Sequence, residues 1–117
     1  MATRYYQVEY LGYATVDLYL SNPMIPWIVS EIKKRAKSKK MTLSVVDGCV
    51  CARDQNNNSD TDFTHPLALI SRFTIPNGNY NNFLYVLRDL NQPLLYCHLY
   101  HAFDPEEVSD YVTEPQC

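Results

Sequence analysis

The sequence predicts an α+β fold: an antiparallel β-sandwich or partly open barrel with one helix in its N-terminal half and another at its C-terminus. Three observations support this prediction. Segments with strand periodicity recur along the chain, turn signals separate most of them as hairpins, and helical patterns follow the first strand and the last. With 117 residues, 46% hydrophobic and 20% charged, the chain has the composition of one globular domain, which we expect to span residues 1–117.

The first strand is predicted at residues 5–19. Tyr6, Val8 and Tyr10 alternate with polar residues, which is the two-residue period of a half-buried strand. Gly12 interrupts the alternation, and the segment beyond it is again rich in β-branched and aromatic residues. We therefore expect a long strand with a bend.

A helix is predicted at residues 24–38. Two prolines precede or open it, where the first helical turn tolerates proline. Ile28, Ile32 and Ala36 recur every four residues on one side, and the lysines lie on the other.

The remaining strands are predicted from turns. Asp47 and Gly48 lie between two β-rich runs in the segment 41–54, and this pair suits the positive φ values of a type I′ hairpin turn. Pro66 implies a break or an edge strand. The further strands are expected at 62–66, 68–75, 82–89 and 94–103.

A second helix is predicted to begin at Asp104. Asp104 suits the N-cap, Pro105 the first helical position, and Glu107 completes a capping box. Pro115 ends this short helix.

Cys97 and His98 are the side chains that most resemble a chemical site. A zinc site with Cys49 and Cys51 is disfavoured, because one residue separates those cysteines where structural sites use two to four. A Cys–His nucleophile pair is disfavoured as well, because adjacent strand residues point to opposite faces. We expect no metal, no cofactor and no enzymatic activity.

The charge distribution is uneven. The net charge is −3, yet six of the ten basic residues fall within residues 33–40. This balance disfavours a nucleic-acid partner but leaves one local cationic patch, which is either a solvated helix face or a contact for an anionic surface. No apolar run could span a bilayer and the N-terminus has no apolar signal core, so we expect a cytoplasmic protein with free thiols.

Five segments carry a family resemblance: YYQVEYLG, LSVVDGCVCARD, HPLALIS, FLYVLRD and CHLY, in this order. Together they resemble strands of phosphotyrosine-binding (PTB) domains over residues 5–112. Within that family, the chain is nearest in character to the phosphate-independent Disabled-like and Numb-like branches. The resemblance implies a PH-like sandwich of seven antiparallel strands capped by the C-terminal helix, acting as an adaptor module.

The resemblance also implies a ligand. Peptides with an Asn-Pro-x-Tyr-like motif, for example in cytoplasmic tails, would add as an antiparallel strand to the fifth strand, beside the terminal helix. That strand alternates Ile70, Arg72 and Thr74 with the residues between them, and such an edge is an aggregation hazard unless covered or used. The receiving residues are Ile70, Ser71, Arg72, Phe73, Thr74 and Ile75, and the facing helix residues are Val108, Tyr111 and Val112.

Phosphate dependence is predicted to be weak or absent. Arg88 matches the basic residue that ends strand six in phosphate-requiring relatives, but Leu95 stands where they carry arginine and Leu69 where they carry serine. Arg72 or Arg53 could replace the missing contacts.

A second expected partner is an acidic phosphoinositide membrane. Some Disabled-like members bind such headgroups through basic residues around the first helix, and each basic residue near an anionic membrane contributes about 1 kcal/mol. A PH-like lipid-binding module, peripheral at the membrane, is therefore the alternative function. The residues concerned are Lys33, Lys34, Arg35, Lys37, Lys39 and Lys40.

Overall fold

The structure, a computed structural model, describes residues 4–56, 61–74 and 81–102. These residues form seven strands and one α-helix, α1 (Ile25–Arg35). The strands are β1 (Tyr6–Asp17), β2 (Lys39–Val46), β3 (Cys49–Asp54), β4 (Phe63–Pro66), β5 (Ile70–Thr74), β6 (Asn82–Arg88) and β7 (Leu94–Ala102). Short 3₁₀ turns at Asn22–Met24 and Leu67–Leu69 precede α1 and β5. The helix predicted from Asp104 lies outside the described residues.

All seven strands belong to one sheet in the order β4-β3-β2-β1-β7-β6-β5, and every neighbouring pair is antiparallel. The central strand β1 joins the two halves, because its first half pairs with β2 and nearly its whole length with β7. The sheet curls strongly: His65 of β4 hydrogen-bonds the hydroxyl of Tyr85 on β6, although four strands separate them in the order. The predicted antiparallel, partly open architecture is confirmed, with β4 and β5 as its edges.

The bend in β1 is a β-bulge. The pairing with β7 shifts between Tyr10 and Gly12, and Gly12 has φ +116°, a conformation that residues with a Cβ rarely adopt. Before the bulge, Val8 points to the interior of the curled sheet; after it, Val16 points to the side covered by α1. The predicted bent strand is confirmed, and the bulge lets one strand serve both sides of the sheet.

The β2–β3 turn also follows the sequence prediction. Asp47 has φ 53° and Gly48 has φ 73°, the two positive values that a type I′ turn requires. The amide of Leu67 donates to the Gly48 carbonyl at 2.8 Å, which ties the start of the 3₁₀ turn before β5 to this hairpin.

Helix α1 is shorter than predicted. It ends at Arg35, and Ala36 is extended with ψ 127°, so the predicted end at residue 38 is wrong. The reason is non-local: β2 begins at Lys39, paired with Tyr10, so the chain must leave the helix before that point.

Two clusters of buried side chains hold the layers together. The interior core lies inside the curled sheet and the helix-covered core lies between α1 and β1, β6 and β7. Each fully buried aliphatic side chain contributes roughly 1.5–3 kcal/mol relative to exposure, so the four buried residues of α1 fix its position on the sheet. They are Ile25, Ile28, Val29 and Ile32.

Candidate functional site

The fifth strand is an edge of the sheet. β5 pairs with β6 on one side, and no strand formed by residues 4–56, 61–74 or 81–102 pairs with its other side. Of the residues assigned to peptide binding, Ile70–Thr74 lie on this edge. Ile75, Val108, Tyr111 and Val112 lie outside the described residues, so their role remains a prediction.

A bulge changes the predicted faces of β5. Ile70 pairs with Leu87 and Arg72 with Val86, so Ser71 has no partner in the register. As a result Ile70 and Phe73 both pack on the interior core. The predicted alternation, which put Ile70 on one face with Arg72 and Thr74, is wrong, because the extra residue reverses the parity between positions 70 and 72.

The bulge leaves Ser71 as the exposed residue of an otherwise anchored strand. Ile70 is buried, and the ring of Phe73 lies 5.4 Å from the ring of Tyr85. These two contacts, on either side of Ser71, hold the backbone of β5 against the interior core. The edge is therefore preformed, which lowers the entropy cost of adding another strand.

The candidate phosphate contacts lie on the side of the sheet that α1 covers. Arg88 is exposed at the end of β6, directly opposite Leu95 on β7. Leu95 packs against the helix-covered core, as an apolar residue at this position should. The guanidinium of Arg72 donates to the side-chain oxygen of Asn22 at 2.6 Å. Arg53, the other suggested substitute, is on β3, next to the opposite edge strand.

The basic residues of positions 33–40 do not form one patch. Arg35, Lys37 and Lys39 line a cavity of about 550 Å³, together with the aromatic rings of Tyr10 and Phe63. Other members of the cluster point elsewhere. Lys33 lines a separate depression with Glu9, and Lys34 bonds Glu31 at 3.2 Å. Lys40 lies opposite Glu9 in the backbone register of β1 and β2.

A buried carboxylate, that of Asp54, holds two of the residues that line the cavity, Lys39 and Thr61. Hydrogen bonds from the Asn56 amide and the Thr61 hydroxyl, with the charge of Lys39, hold the pKa of Asp54 below its usual range. The ammonium of Lys39 lies 3.6 Å from this carboxylate. Lys37 lines the cavity, is exposed, and forms no ion pair with any residue that the structure describes.

A buried histidine–tyrosine network was not predicted from the sequence. Tyr10 and His98 hydrogen-bond at 2.8 Å, His65 bonds the hydroxyl of Tyr85, and Tyr85 and Tyr100 bond at 2.6 Å. Burial lowers the pKa of His98 to about 3, with a contribution from nearby His65, and burial lowers that of His65 to about 4. Both rings are therefore neutral near pH 7 and act as structural hydrogen-bonding groups. The sequence did contain a partial signal for this network. His98 and Tyr100 are two residues apart and so share one face of β7, and Tyr10 lies on the apolar face predicted for β1.

Cys97 and His98 diverge as expected for neighbours on a strand. Cys97 packs in the helix-covered core, whereas His98 points to the interior network. Burial raises the pKa of the Cys97 thiol to about 11, so it is protonated near neutral pH. Among the described residues, no group of three or more metal-ligating side chains could hold a metal ion. Nor does any helix there have the length and apolarity to cross a membrane.

Comparisons with known proteins bear on this geometry. No family model matches the chain. TBC1 domain family member 4 of Mus musculus is 24% identical over 137 residues, an alignment that covers 92% of this chain and 10% of that protein. The chain thus spans about a tenth of the length of this relative.

Among solved structures, the C-terminal phosphotyrosine interaction domain of mouse APBB2 matches with a TM-score of 0.74 and 15% sequence identity. The match covers 97% of this chain and 88% of that domain. The chain therefore has the PH-like fold of PTB domains, as the five sequence segments predicted, and the branch within that fold stays a prediction.

Proposed function

We propose that this chain is a non-enzymatic adaptor module that binds Asn-Pro-x-Tyr-like peptides as an added antiparallel strand on β5. The observation that carries the proposal is the edge position of β5 in a sheet with a PTB-like fold. An extended peptide gains main-chain hydrogen bonds from such an edge and specificity from the side chains beside it. In this proposal residues 1–117 form one domain, Ile75 continues the edge, and Val108, Tyr111 and Val112 line the groove from the terminal helix.

The chemistry of β5 favours use of the edge. Natural edges are commonly blocked by proline or by a charged side chain that points along the edge. Ile70–Thr74 contain no proline, and the charged head of Arg72 turns toward Asn22 instead of standing in the path of an added strand. The proposed partners are cytoplasmic tails, which implies a cytoplasmic location.

The proposed recognition does not require phosphate. Discrimination for phosphotyrosine depends on several convergent, charge-assisted bonds. Leu95 is packed in the helix-covered core, and Arg72 is already bonded to Asn22, so Arg88 is the exposed guanidinium on β6 and β7 that remains for a phosphate.

Amide chemical shifts on titration with an Asn-Pro-x-Tyr peptide test strand addition. We expect shifts to concentrate at residues 70–74 and in the terminal segment. Ser71→Pro removes the amide of the bulge residue, and the extended Ile70 (ψ 113°) accommodates a following proline. This variant should bind at least tenfold more weakly than the matched control Ser71→Ala. Equal binding by the two variants, with shifts away from β5, would refute the site.

Matched peptides with tyrosine and phosphotyrosine test the phosphate claim separately. We expect their affinities to differ by less than tenfold, which corresponds to about 1.4 kcal/mol. A larger preference for phosphotyrosine that Arg88→Ala abolishes would establish a phosphate site at Arg88 and contradict the proposal.

A second candidate function is binding of phosphoinositide headgroups. The observation that favours it is the convergence of Arg35, Lys37 and Lys39 on one cavity of about 550 Å³. In this proposal Arg35 and Lys37 pair with phosphate groups, because Lys39 already lies 3.6 Å from the Asp54 carboxylate. The protein would then sit peripherally on an acidic membrane, in addition to any peptide partner.

Two charge reversals of equal size separate this function from general attraction to an anionic surface. Lys37→Glu changes the cavity, whereas Lys34→Glu changes a lysine that bonds Glu31 outside it. In flotation with phosphoinositide-containing liposomes, Lys37→Glu should reduce binding at least fivefold more than Lys34→Glu. Equal losses would indicate unspecific attraction, and unchanged binding would exclude the cavity.

A further inference from the structure

The outer face of β3 carries a pair of thiols. Alternation along the strand buries Val50 and Ala52 in the interior core, so Cys49 and Cys51 point to the opposite face. Both cysteines are half-buried there and have free thiols. No β3 residue belongs to the helix-covered core of the described chain. The two thiols therefore share a face of the sheet that is not packed against α1.

The spacing of the two thiols disfavours a disulfide but suits a shared ion. Two residues along a strand separate the Cβ atoms by about 6.6 Å, whereas a disulfide holds its Cβ atoms about 3.5–4.5 Å apart. An ion between the thiols needs less approach, because two metal–thiolate bonds of about 2.3 Å place the sulfurs about 4.6 Å apart. Each sulfur stands one bond beyond its Cβ, so leaning of both side chains along the strand brings them to this distance.

One of the two thiols leans in the required direction. The Sγ atom of Cys51 lies 4.0 Å from the carbonyl oxygen of Cys49, so its side chain turns back along the strand toward the other cysteine. The Cys49 thiol can approach it by rotation about χ1 between staggered rotamers. An ion can therefore be shared without a change in the backbone of β3.

The surroundings of the pair favour a soft ion. Soft cations are selected by thiolates, whereas hard cations such as Mg²⁺ and Ca²⁺ require oxygen ligands, mainly carboxylates. Two thiolates and one Cu(I) ion sum to a charge of −1, and exposed Arg53 is the next residue on the same face, where its guanidinium offsets this charge. The register places no carboxylate beside the pair on β2 or β4, where the flanking residues are Val46, Pro66, Ser44 and Thr64.

We propose that Cys49 and Cys51 form a two-thiolate site for a soft monovalent cation of the Cu(I) type. The ligand is the thiolate, so binding releases both thiol protons and strengthens as pH rises. The proposal differs from the expectation of no metal, which rests on the cysteine spacing of structural zinc sites, because an ion with two ligands does not need that spacing. It is also independent of the proposed peptide site, since β3 and β5 lie in opposite halves of the sheet order.

Competition with a chromophoric Cu(I) chelator, under anaerobic conditions, tests this proposal. The reference protein is Cys117→Ser, which removes the thiol that lies outside the described residues. One variant adds Cys49→Ser. A rearranged variant adds Cys51→Ser and Thr42→Cys; Thr42 is opposite Arg53, four residues beyond Cys49. It keeps two thiols on the face but separates them by about 13 Å along the strands, too far for one ion to bridge.

We expect the reference protein to bind one Cu(I) per chain, at least tenfold more tightly than either variant and more tightly at higher pH. X-ray absorption should show sulfur ligands alone. Equal binding by Cys49→Ser or by the rearranged variant would overturn the site, because neither protein offers two thiols at the required spacing.

Thiol labelling of the reference protein gives a second readout that needs no variant of the pair. Peptide mass spectrometry after iodoacetamide treatment reads each cysteine separately. Cu(I) should slow the labelling of Cys49 and Cys51 at least tenfold, and the rate at buried Cys97 should not change. Protection of one thiol without the other, or of neither, would refute a shared ion.

Discussion

Acid should destabilise this domain well above the pH at which carboxylates protonate, because two neutral histidines are buried in its interior. The rings of His65 and His98 lie 4.4 Å apart, centroid to centroid. The Tyr10 hydroxyl hydrogen-bonds Nδ1 of His98, and the Tyr85 hydroxyl hydrogen-bonds Nδ1 of His65. Protonating either ring would place a charge in a poorly solvated network and replace an acceptor by a donor.

The sign of the effect follows from the lowered pKa values. In the unfolded chain both histidines take up protons near their ordinary pKa of 6.5, whereas the folded values are about 4 for His65 and about 3 for His98. The unfolded state therefore binds more protons below pH 6.5, and stability is full above that pH and falls as pH decreases. The loss continues to about pH 4 for His65 and to about pH 3 for His98.

The magnitude can be worked out for a change from pH 7 to pH 5. A group with an unfolded pKa of 6.5 that stays neutral when folded loses about 2 kcal/mol over this interval. His98 is 7% exposed and should lose all of this; His65 is partly exposed and should lose less, so the sum is roughly 3 kcal/mol. Asp54 and Asp89 contribute little here, since their lowered pKa values matter only when pH approaches 3.8.

Urea denaturation at pH 7 and pH 5 measures this loss. His98→Asn keeps an acceptor near the Tyr10 hydroxyl but removes the titrating group, so it should lose about 2 kcal/mol less than the wild type between the two pH values. The comparison is between pH dependences, so any cost of the substitution itself cancels. A wild-type loss below about 1 kcal/mol, or an equal loss in His98→Asn, would refute the reasoning.

Two further predictions concern the backbone and a thiol. Gly12→Ala should reduce the free energy of unfolding by about 1–3 kcal/mol through backbone strain at φ +116°. Steric overlap is not the cause, since the nearest atom, Ile32 Cγ2, would lie 3.7 Å from the new Cβ. Gly48→Asn, at φ 73° with open space around it, should cost less than about 1 kcal/mol in the same urea titration, and equal costs would contradict the assignment. Cys97 should react with iodoacetamide at pH 8 at least tenfold more slowly in the folded than in the unfolded protein, because burial raises its pKa to about 11. Peptide mass spectrometry reads the two rates, and fast labelling of the folded protein would refute the burial argument.

The sequence predicted the features that depend on the backbone preferences of one or two neighbouring residues. The Asp47–Gly48 turn follows from the φ values that this pair accepts. The bend of β1 follows from Gly12. The Ser71 bulge had no such signal, because the residues around it, Ile70 and Arg72, are ordinary strand residues. Its presence depends on the register with β6, and a register is a property of two strands.

The site residues divide in the same way. The sequence located the β5 edge through its family resemblance, and it located the basic cluster by counting charges. It did not indicate that Arg35, Lys37 and Lys39 converge while Lys33 and Lys34 turn away, because α1 ends earlier than its helix-forming residues suggest. The His65–His98 contact was equally out of reach, since it depends on the curl of the sheet that brings β4 over β7.

The two edges of the sheet differ in a way that bears on function. β4 is a four-residue strand that ends at Pro66, and the ring of its His65 bonds Tyr85 in the interior. A short edge with a proline is a poor template for another strand. β5 contains no proline, packs Ile70 and Phe73 inward, and leaves Ser71 exposed at its bulge. Of the two edges in the described part of the chain, β4 thus carries the proline that blunts an edge and β5 does not, which is the difference that the proposed strand addition to β5 requires.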